Sequence, residues 1–268
     1  MASRLTLCAD DFGADAACTE AILQLAGDGR INAATVMPTG VESALGASAL
    51  AAMEGVEIGL HVTLSDGSAT RASALAPDGR LPHVDRLMAA AFAARLPLAD
   101  IEGEIERQYD HFEALFGRAP DFVDAHQHSH VLPGIRRLFL DAAARRAPGA
   151  WVRTCEERTS AIFARGVARW RAVRSALLSN GLSSAAAARG VATNQGFAGL
   201  YDLKGRGDYG AMFKRWLVDP GPRHLVICHP SGAGRDGPYA RNRVAEHAFL
   251  SGEALPRVLS EAGMTLAR

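Results

Sequence analysis

The run Leu5-Thr6-Leu7-Cys8-Ala9-Asp10-Asp11-Phe12-Gly13 decides the fold. It reads as an apolar strand, Leu5 to Ala9, that breaks into two carboxylates. A helical pattern follows over Asp15 to Gly29, and a second apolar run, Ala33 to Met37, is closed by Pro38. The same alternation continues outward. Val41 to Met53 reads as helix, Val56 to Thr63 as strand, Ile101 to Phe116 as helix and Phe122 to Ala125 as strand. Ile101, Ile105, Tyr109, Phe112 and Phe116 share one helical face, which predicts core, and Gly117 suits the position after the helix. Further on come helix Gly134 to Arg145, strand Ala150 to Arg153, helix Tyr209 to Leu217, strand His224 to Cys228, helix Glu253 to Ala262 and strand Met264 to Leu266.

Strands alternating with helices predict βα units and a mainly parallel α/β sheet. About seven strands suit a barrel, closed or incomplete; an open doubly wound sheet is the alternative. No repeat, low-complexity linker or boundary interrupts the chain, so one domain over residues 1–268 is expected. Two stretches stand out. Ser65 to Arg86 is a long loop, expected to form a wall or lid over a site. Ser160 to Arg189 is rich in Ala and Arg, with a break at Asn180-Gly181, and either covers the barrel or meets a second subunit, so a homodimer is one expectation.

Composition narrows the function classes. In 268 residues, 29 Lys+Arg balance 29 Asp+Glu, with 48% hydrophobic and 22% charged residues. That is a globular composition, and zero net charge offers no overall case for nucleic acid or an anionic membrane surface, while leaving room for a local basic patch. Only two lysines occur, Lys204 and Lys214, which limits any mechanism that needs one. No apolar stretch is long enough for a secretion signal or a membrane span. Cys8, Cys18, Cys155 and Cys228 form no C-x-x-C pair, and Cys8 and Cys228 lie in apolar runs, so buried thiols and a reducing cytoplasm are expected.

Functional residues of parallel α/β folds collect past the C-terminal ends of strands. Four segments place polar residues there: Asp10-Asp11, Gly59-Leu60-His61, Asp124-Ala125-His126-Gln127-His128-Ser129-His130, and His229-Pro230-Ser231. Five of the nine histidines fall within them. Asp10-Asp11 is either a turn and capping pair or a metal ligand beside a free base. His61 is either a core histidine or a ligand. In an extended segment alternate residues face the same way, so the 126/128/130 run either brings two imidazoles to one ion or lets one ligate while its neighbour contacts substrate; the other reading is a solvated His-rich turn. Asp124 then either supports a ligating imidazole or caps a turn. Aspartate and histidine without thiolate suit Zn²⁺, Mn²⁺, Co²⁺, Fe²⁺ or Mg²⁺. The chain has no G-x-S-x-G elbow, no P-loop and no H-E-x-x-H helix; Gly205-Arg206-Gly207 lacks the third glycine of a dinucleotide fingerprint.

In combination, Ala9-Asp10-Asp11-Phe12-Gly13, Gly59-Leu60-His61, the 124–130 run and Cys228-His229-Pro230-Ser231 resemble the YdjC-like carbohydrate deacetylases, which include chitooligosaccharide deacetylase and hopanoid-associated deacetylases. Asn32 to Thr35 and Leu115-Phe116-Gly117 to Pro120 extend the likeness, which spans nearly the whole chain and is loosest over residues 155–222. The resemblance implies a distorted TIM-like (β/α) barrel and one divalent ion, Mg²⁺ or Zn²⁺ ahead of Mn²⁺ or Co²⁺. It implies Asp11, His61 and His126 as ligands, Asp10 as general base and His229 as general acid. His128, His130, Asp124 and Gln127 would contact substrate or support the ligands. Gln127 stands where the family often has His, and its amide suits a sugar hydroxyl.

Amide hydrolysis needs an activated water, a stabilised oxyanion and a protonated leaving amine. The implied set offers metal with Asp10 for the first, metal with backbone N–H groups for the second and His229 for the third. A histidine titrating near its reference value of about 6.5 suits the acid role. The expected substrate is a small N-acetylated saccharide or glycolipid. Two competing readings are another barrel metallohydrolase, such as an amidohydrolase or PHP-type phosphoesterase, and a non-catalytic carbohydrate-binding relative. The first usually places H-x-H on its first strand, and the carboxylated-lysine amidohydrolases need a strand-end lysine. Trp151, Trp170 and Trp216 are expected to pack against the outer helices.

Overall fold

A computed structural model describes residues 3–203, 207–233 and 239–267. Lys204, Gly205 and Arg206 lie outside the described residues. One sheet runs through the molecule. Its strands are β1 (Ser3–Phe12), β2 (Ala33–Val36), β3 (Glu57–Val62), β4 (Phe122–Ala125), β5 (Trp151–Val152), β6 (Ala192–Thr193), β7 (Phe197–Ala198), β8 (His224–Cys228) and β9 (Met264–Leu266). The order is β6-β5-β4-β3-β2-β1-β8-β7, every neighbouring pair is parallel, and β9 pairs β1. The expected barrel is therefore a curled half-barrel of eight ordered strands, with β9 beside it, rather than one of about seven. The two-residue strands β6 and β7 carry too little periodicity to be read in advance.

Curling follows from covalent reach. The two edge strands, β6 and β7, end and begin at Thr193 and Phe197. Four Cα steps span at most about 14 Å, so the edges cannot splay into an open sheet. Asn32 closes a different gap, the fork where β1 leaves β9 for β2. Its amide donates to the carbonyls of Leu5 and Ala267, and its Oδ1 accepts from the Leu7 N–H.

The two faces separate by the strand period of two. Leu5, Leu7, Ala9, Ile58, Leu60, Val62, Val123 and Val226 pack in the large core that includes Ile22 and Leu25 of α1 (Ala16–Gly27) and Ile101, Ile105 and Phe112 of α4 (Leu98–Phe116). Cys8, Ala33, Phe122, Trp151, Leu225 and Ile227 form a smaller cluster on the other, concave face. Phe122 and Trp151 stack there at 4.4 Å between centroids, and Gly59 leaves room for the Phe122 ring. The remaining helices are α2 (Val41–Ala51), α3 (Val84–Phe92), α5 (Ile135–Arg146), α6 (Thr159–Arg165), α7 (Arg169–Ser179), α8 (Leu182–Ala187), α9 (Tyr209–Trp216), α10 (Ala240–Ser251) and α11 (Ala254–Glu261).

Most long elements match the sequence reading within a few residues, including the Asn180-Gly181 break. Three differences matter. The Ser65–Arg86 loop ends early, in α3. Helix α10, with a weakly segregated pattern, was not expected. Trp216 is buried in the large core as expected, whereas Trp151 stacks on Phe122 of the concave face instead of the outer helices and Trp170 on α7 is 77% exposed. A β-carbon at Gly59 would meet the Phe122 ring at 2.5 Å. Gly59→Ala is expected to lower stability by about 1–3 kcal/mol through overpacking, measured by urea denaturation.

Candidate metal centre and active-site cleft

The apolar inner layer dictates where the polar residues stand. Two residues beyond Cys8 comes Asp10, beyond Gly59 comes His61, beyond Phe122 comes Asp124, beyond Trp151 comes Arg153 and beyond Ile227 comes His229. Each is thus placed by strand alternation on the concave face, one layer above the apolar cluster. This layer floors a cleft of about 1150 Å³, lined by Asp10, Asp11, His61, His126, His128 and His229 among others. The loop after β3 contributes Asp66, Gly67 and Ser68 to one wall, as expected of it.

Asp10 and Asp11 do not cap the following helix. That role falls to Asp15, whose side chain accepts from the Cys18 N–H at 2.8 Å. The β1 register shifts between Ala9 and Phe12, and Asp11 takes φ 73°. A non-glycine residue is strained there, and the turn brings both carboxylates to the cleft.

Sheet register sets His61 directly beside Asp124. Asp124 Oδ1 lies 2.6 Å from His61 Nδ1, which aims Nε2 away from it, the arrangement of a supported ligating imidazole. His61 Nε2 stands 3.5 Å from Asp11 Oδ1, and His126 Nδ1 stands 3.1 Å from the same oxygen. The two ring nitrogens are 3.3 Å apart. Asp11 Oδ1 is buried and makes no aligned hydrogen bond. An orphaned carboxylate oxygen facing two imidazole nitrogens fits a cation, and these three residues could hold one. Asp10, His61 and Asp124 also cluster, but a guanidinium already lies between the two carboxylates.

That guanidinium is Arg153, fully buried past β5. It donates to both oxygens of Asp10 at 2.6 Å and stands 2.7 Å from Asp124 Oδ2. Arg243 of α10 donates to Asp11 Oδ2 at 2.6 Å, leaving Oδ1 for the centre. Neither arginine was singled out by sequence. Arg153 had a faint signal, a charge closing the apolar run Ala150 to Val152. Arg243 had none, because its helix has no motif. Glu246, one turn on from Arg243, accepts from the His229 backbone N–H and from the Tyr201 hydroxyl, each at 2.5 Å.

The histidine run departs from its expected geometry. Residues 126–131 form a tight turn of helix rather than an extended strand, and Gln127 and His128 are left-handed at φ 52° and 56°. The three imidazoles therefore point three ways. His126 faces Asp11. His128 lines the cleft with its edge on Phe197, and Gln127 is exposed on the cleft wall. His130 turns into the core against Phe139, its Nε2 2.9 Å from the Arg153 carbonyl. It lies off the cleft and supports the strand end that carries Arg153.

Charge sets the protonation states. Burial would raise the Asp10 carboxyl, but Arg153 outweighs it and holds the group well below the carboxylate range. Burial would likewise raise Asp11, and Arg243 with His126 keeps it well below. Burial would lower His61, but Asp124, with Asp11 and Asp10, raises it to about 10. Burial pushes His229 down to about 4, against the pull of Asp10 and Asp11. His229 therefore starts neutral at pH 7, not titrating near 6.5 as expected for an acid. Its Nε2 lies 3.8 Å from Asp10 Oδ2. Glu246 is raised to about 7 by burial.

Two outcomes are expected. A cation entering at His61 must displace a proton, so apparent Zn²⁺ affinity should rise about tenfold per pH unit between about pH 6 and 9, measured by competition with a chromogenic chelator. Arg153→Met leaves Asp10 and Asp124 uncompensated, and should cost about 3–5 kcal/mol in urea denaturation, with partial recovery when Asp10→Asn is added.

A family model described as YdjC-like protein matches residues 4–261. The chain is 33% identical over 145 residues to the carbohydrate deacetylase of Mus musculus, covering 52% of this chain and 46% of that one. It is 31% identical over 138 residues to the chitooligosaccharide deacetylase of Yersinia pestis (strain Pestoides F), covering 52% and 54%. The match spans about half the length of these relatives. A crystal structure from Enterococcus faecalis V583, named as a candidate cellobiose-phosphate cleavage protein, superposes with a TM-score of 0.71 over 100% of this chain and 98% of that one, at 19% identity, a likeness of fold alone. The family match takes in all four polar strand ends that meet at this cleft, and the chain belongs to the YdjC-like protein family.

Proposed function

We propose that this protein is a metal-dependent hydrolase that removes the acetyl group from an N-acetylated amino sugar or glycan. The observation that carries the reading is the arrangement of Asp11, His61 and His126 around one orphaned oxygen, with Asp10 and His229 beside them at the floor of a cleft large enough for a saccharide. The names of the relatives favour this reaction. When bound at Asp11, His61 and His126, a divalent ion supplies Lewis-acid polarisation and an acidified water.

The residues divide the remaining work. Asp10 is ionised across the ordinary pH range and takes a proton from the attacking water. An arginine-clamped carboxylate is a weak base, so it does not retain that proton. Neutral His229, 3.8 Å away, is the more basic partner and relays the proton to the leaving nitrogen. The water oxygen bonds to the acetyl carbon as the C–N bond breaks, giving acetate and a free amine. Asp124 and Arg153 hold His61 and Asp10 in place, and His128 and Gln127 line the substrate side.

Residues 1–268 act as one domain in this proposal. A cytoplasmic location is part of it, supported by four buried cysteines that form no disulfide. Among the described residues no helix is long and apolar enough to cross a membrane. The carboxylated-lysine alternative gains nothing from Lys214, which sits on α9 in an exposed pair with Glu261.

Metal-stripped protein reloaded with Zn²⁺, Mn²⁺, Co²⁺ or Mg²⁺ should release acetate from N-acetylglucosamine oligomers. Asp10→Asn should lower kcat at least about a hundredfold and keep one ion per chain; His61→Ala should lose the ion. Retained turnover in Asp10→Asn would remove Asp10 as base, and two or three bound ions would favour a phosphoesterase.

A further inference from the structure

Helix α7 exposes large apolar side chains. On its body-facing side Leu178 packs against the core, and buried Ser179 hydrogen-bonds Thr154 and accepts from the Cys155 N–H. Trp170, Val173 and Leu177 fall at i, i+3 and i+7, one stripe along the helix. That stripe faces outward, with Trp170 77% and Leu177 71% exposed. Phe163 at the end of α6, 46% exposed, meets the Trp170 ring edge-on at 6.4 Å and widens the patch.

Arginines flank the stripe. Residues 158–180 contain five arginines and no Asp or Glu. Arg158 and Arg165 pair with carboxylates outside the segment. Arg169, Arg171 and Arg174 pair with none among the described residues; Arg169 lies over Phe163, and Arg174 donates to the Met88 sulfur. Trp170, Arg171 and Arg174 also line the cleft, so this patch borders its mouth. A water-facing apolar stripe between unpaired guanidiniums, on a chain of zero net charge, is the pattern of an interfacial helix complementary to an anionic bilayer.

We propose that the α6–α7 hairpin docks this protein on an anionic membrane surface, with Phe163, Trp170 and Leu177 entering the headgroup boundary and Arg169, Arg171 and Arg174 on lipid phosphates. The cleft mouth then faces the bilayer. Docking does not rest on the acetyl-hydrolysing reading, because it requires no metal and no turnover.

The full chain is mixed with phosphatidylcholine vesicles with or without about a quarter phosphatidylglycerol, and partition is read by co-sedimentation. Partition onto the anionic vesicles should be about tenfold higher or more, and should fall steeply between about 0.1 M and 0.5 M salt. Trp emission should shift to the blue on binding through Trp170, since Trp151 and Trp216 are already buried, and Trp170→Phe should remove the shift. Trp170→Ser with Leu177→Ser, and separately Arg169→Ser with Arg171→Ser and Arg174→Ser, should each abolish the preference while the far-UV circular dichroism and urea midpoint of the fold persist. Equal partition onto both vesicles, or none, overturns the proposal. So does a dimer in sedimentation velocity that the Trp170→Ser, Leu177→Ser pair dissolves, which would assign the stripe to a second copy.

Discussion

The Arg153 guanidinium ties three strand ends together. It reaches from β5 to Asp10 on β1 and Asp124 on β4, and is itself removed from water. Two carboxylates and one arginine in a buried space repel or attract with several kcal/mol per contact at an effective dielectric of about 20, so none is free to leave its partners. Through Asp124 the same cation governs His61 on β3, whose Nδ1 is held and whose Nε2 is thereby aimed. Three buried carboxylates, Asp10, Asp11 and Asp124, face two guanidiniums, Arg153 and Arg243. The leftover negative charge raises His61 and also suits a cation.

The cleft concentrates backbone strain as well as charge. Asp11, Asp66, Gln127 and His128 are four non-glycine residues with positive φ, and all four line it. Each forgoes a comfortable conformation to turn a side chain toward or along the cleft. At Gln127 and His128 the turn separates three histidines that the sequence spaces evenly. His126 then joins the centre, His128 the wall and His130 the support behind it.

Much of the molecule was legible without coordinates. The strand ends carrying Asp10-Asp11, His61, His126 and His229 stood out because apolar runs broke into chemistry-bearing residues, and the structure brings them to one cleft. The reading faltered where local pattern carries no information. Residues 126–130 looked extended because alternation is the default of a strand end, and only packing against β5 and Phe139 makes the turn. Trp170 was expected to pack against the outer helices because large aromatics are usually covered; its helix instead turns Leu178 and Ser179 inward and leaves Trp170 exposed.

What the sequence by itself determined was the period of each strand and the residue that closes it. Cys8 and Asp10, Phe122 and Asp124, and Trp151 and Arg153 must share a face, because side chains alternate every second residue. What only the tertiary structure decided was which closing residues become neighbours. Arg153 meets Asp10 across 143 positions, and Arg243 meets Asp11 across 232. Those pairs, and the proton affinities they impose, arise from strand order and helix docking, which set distances that no local window of sequence contains.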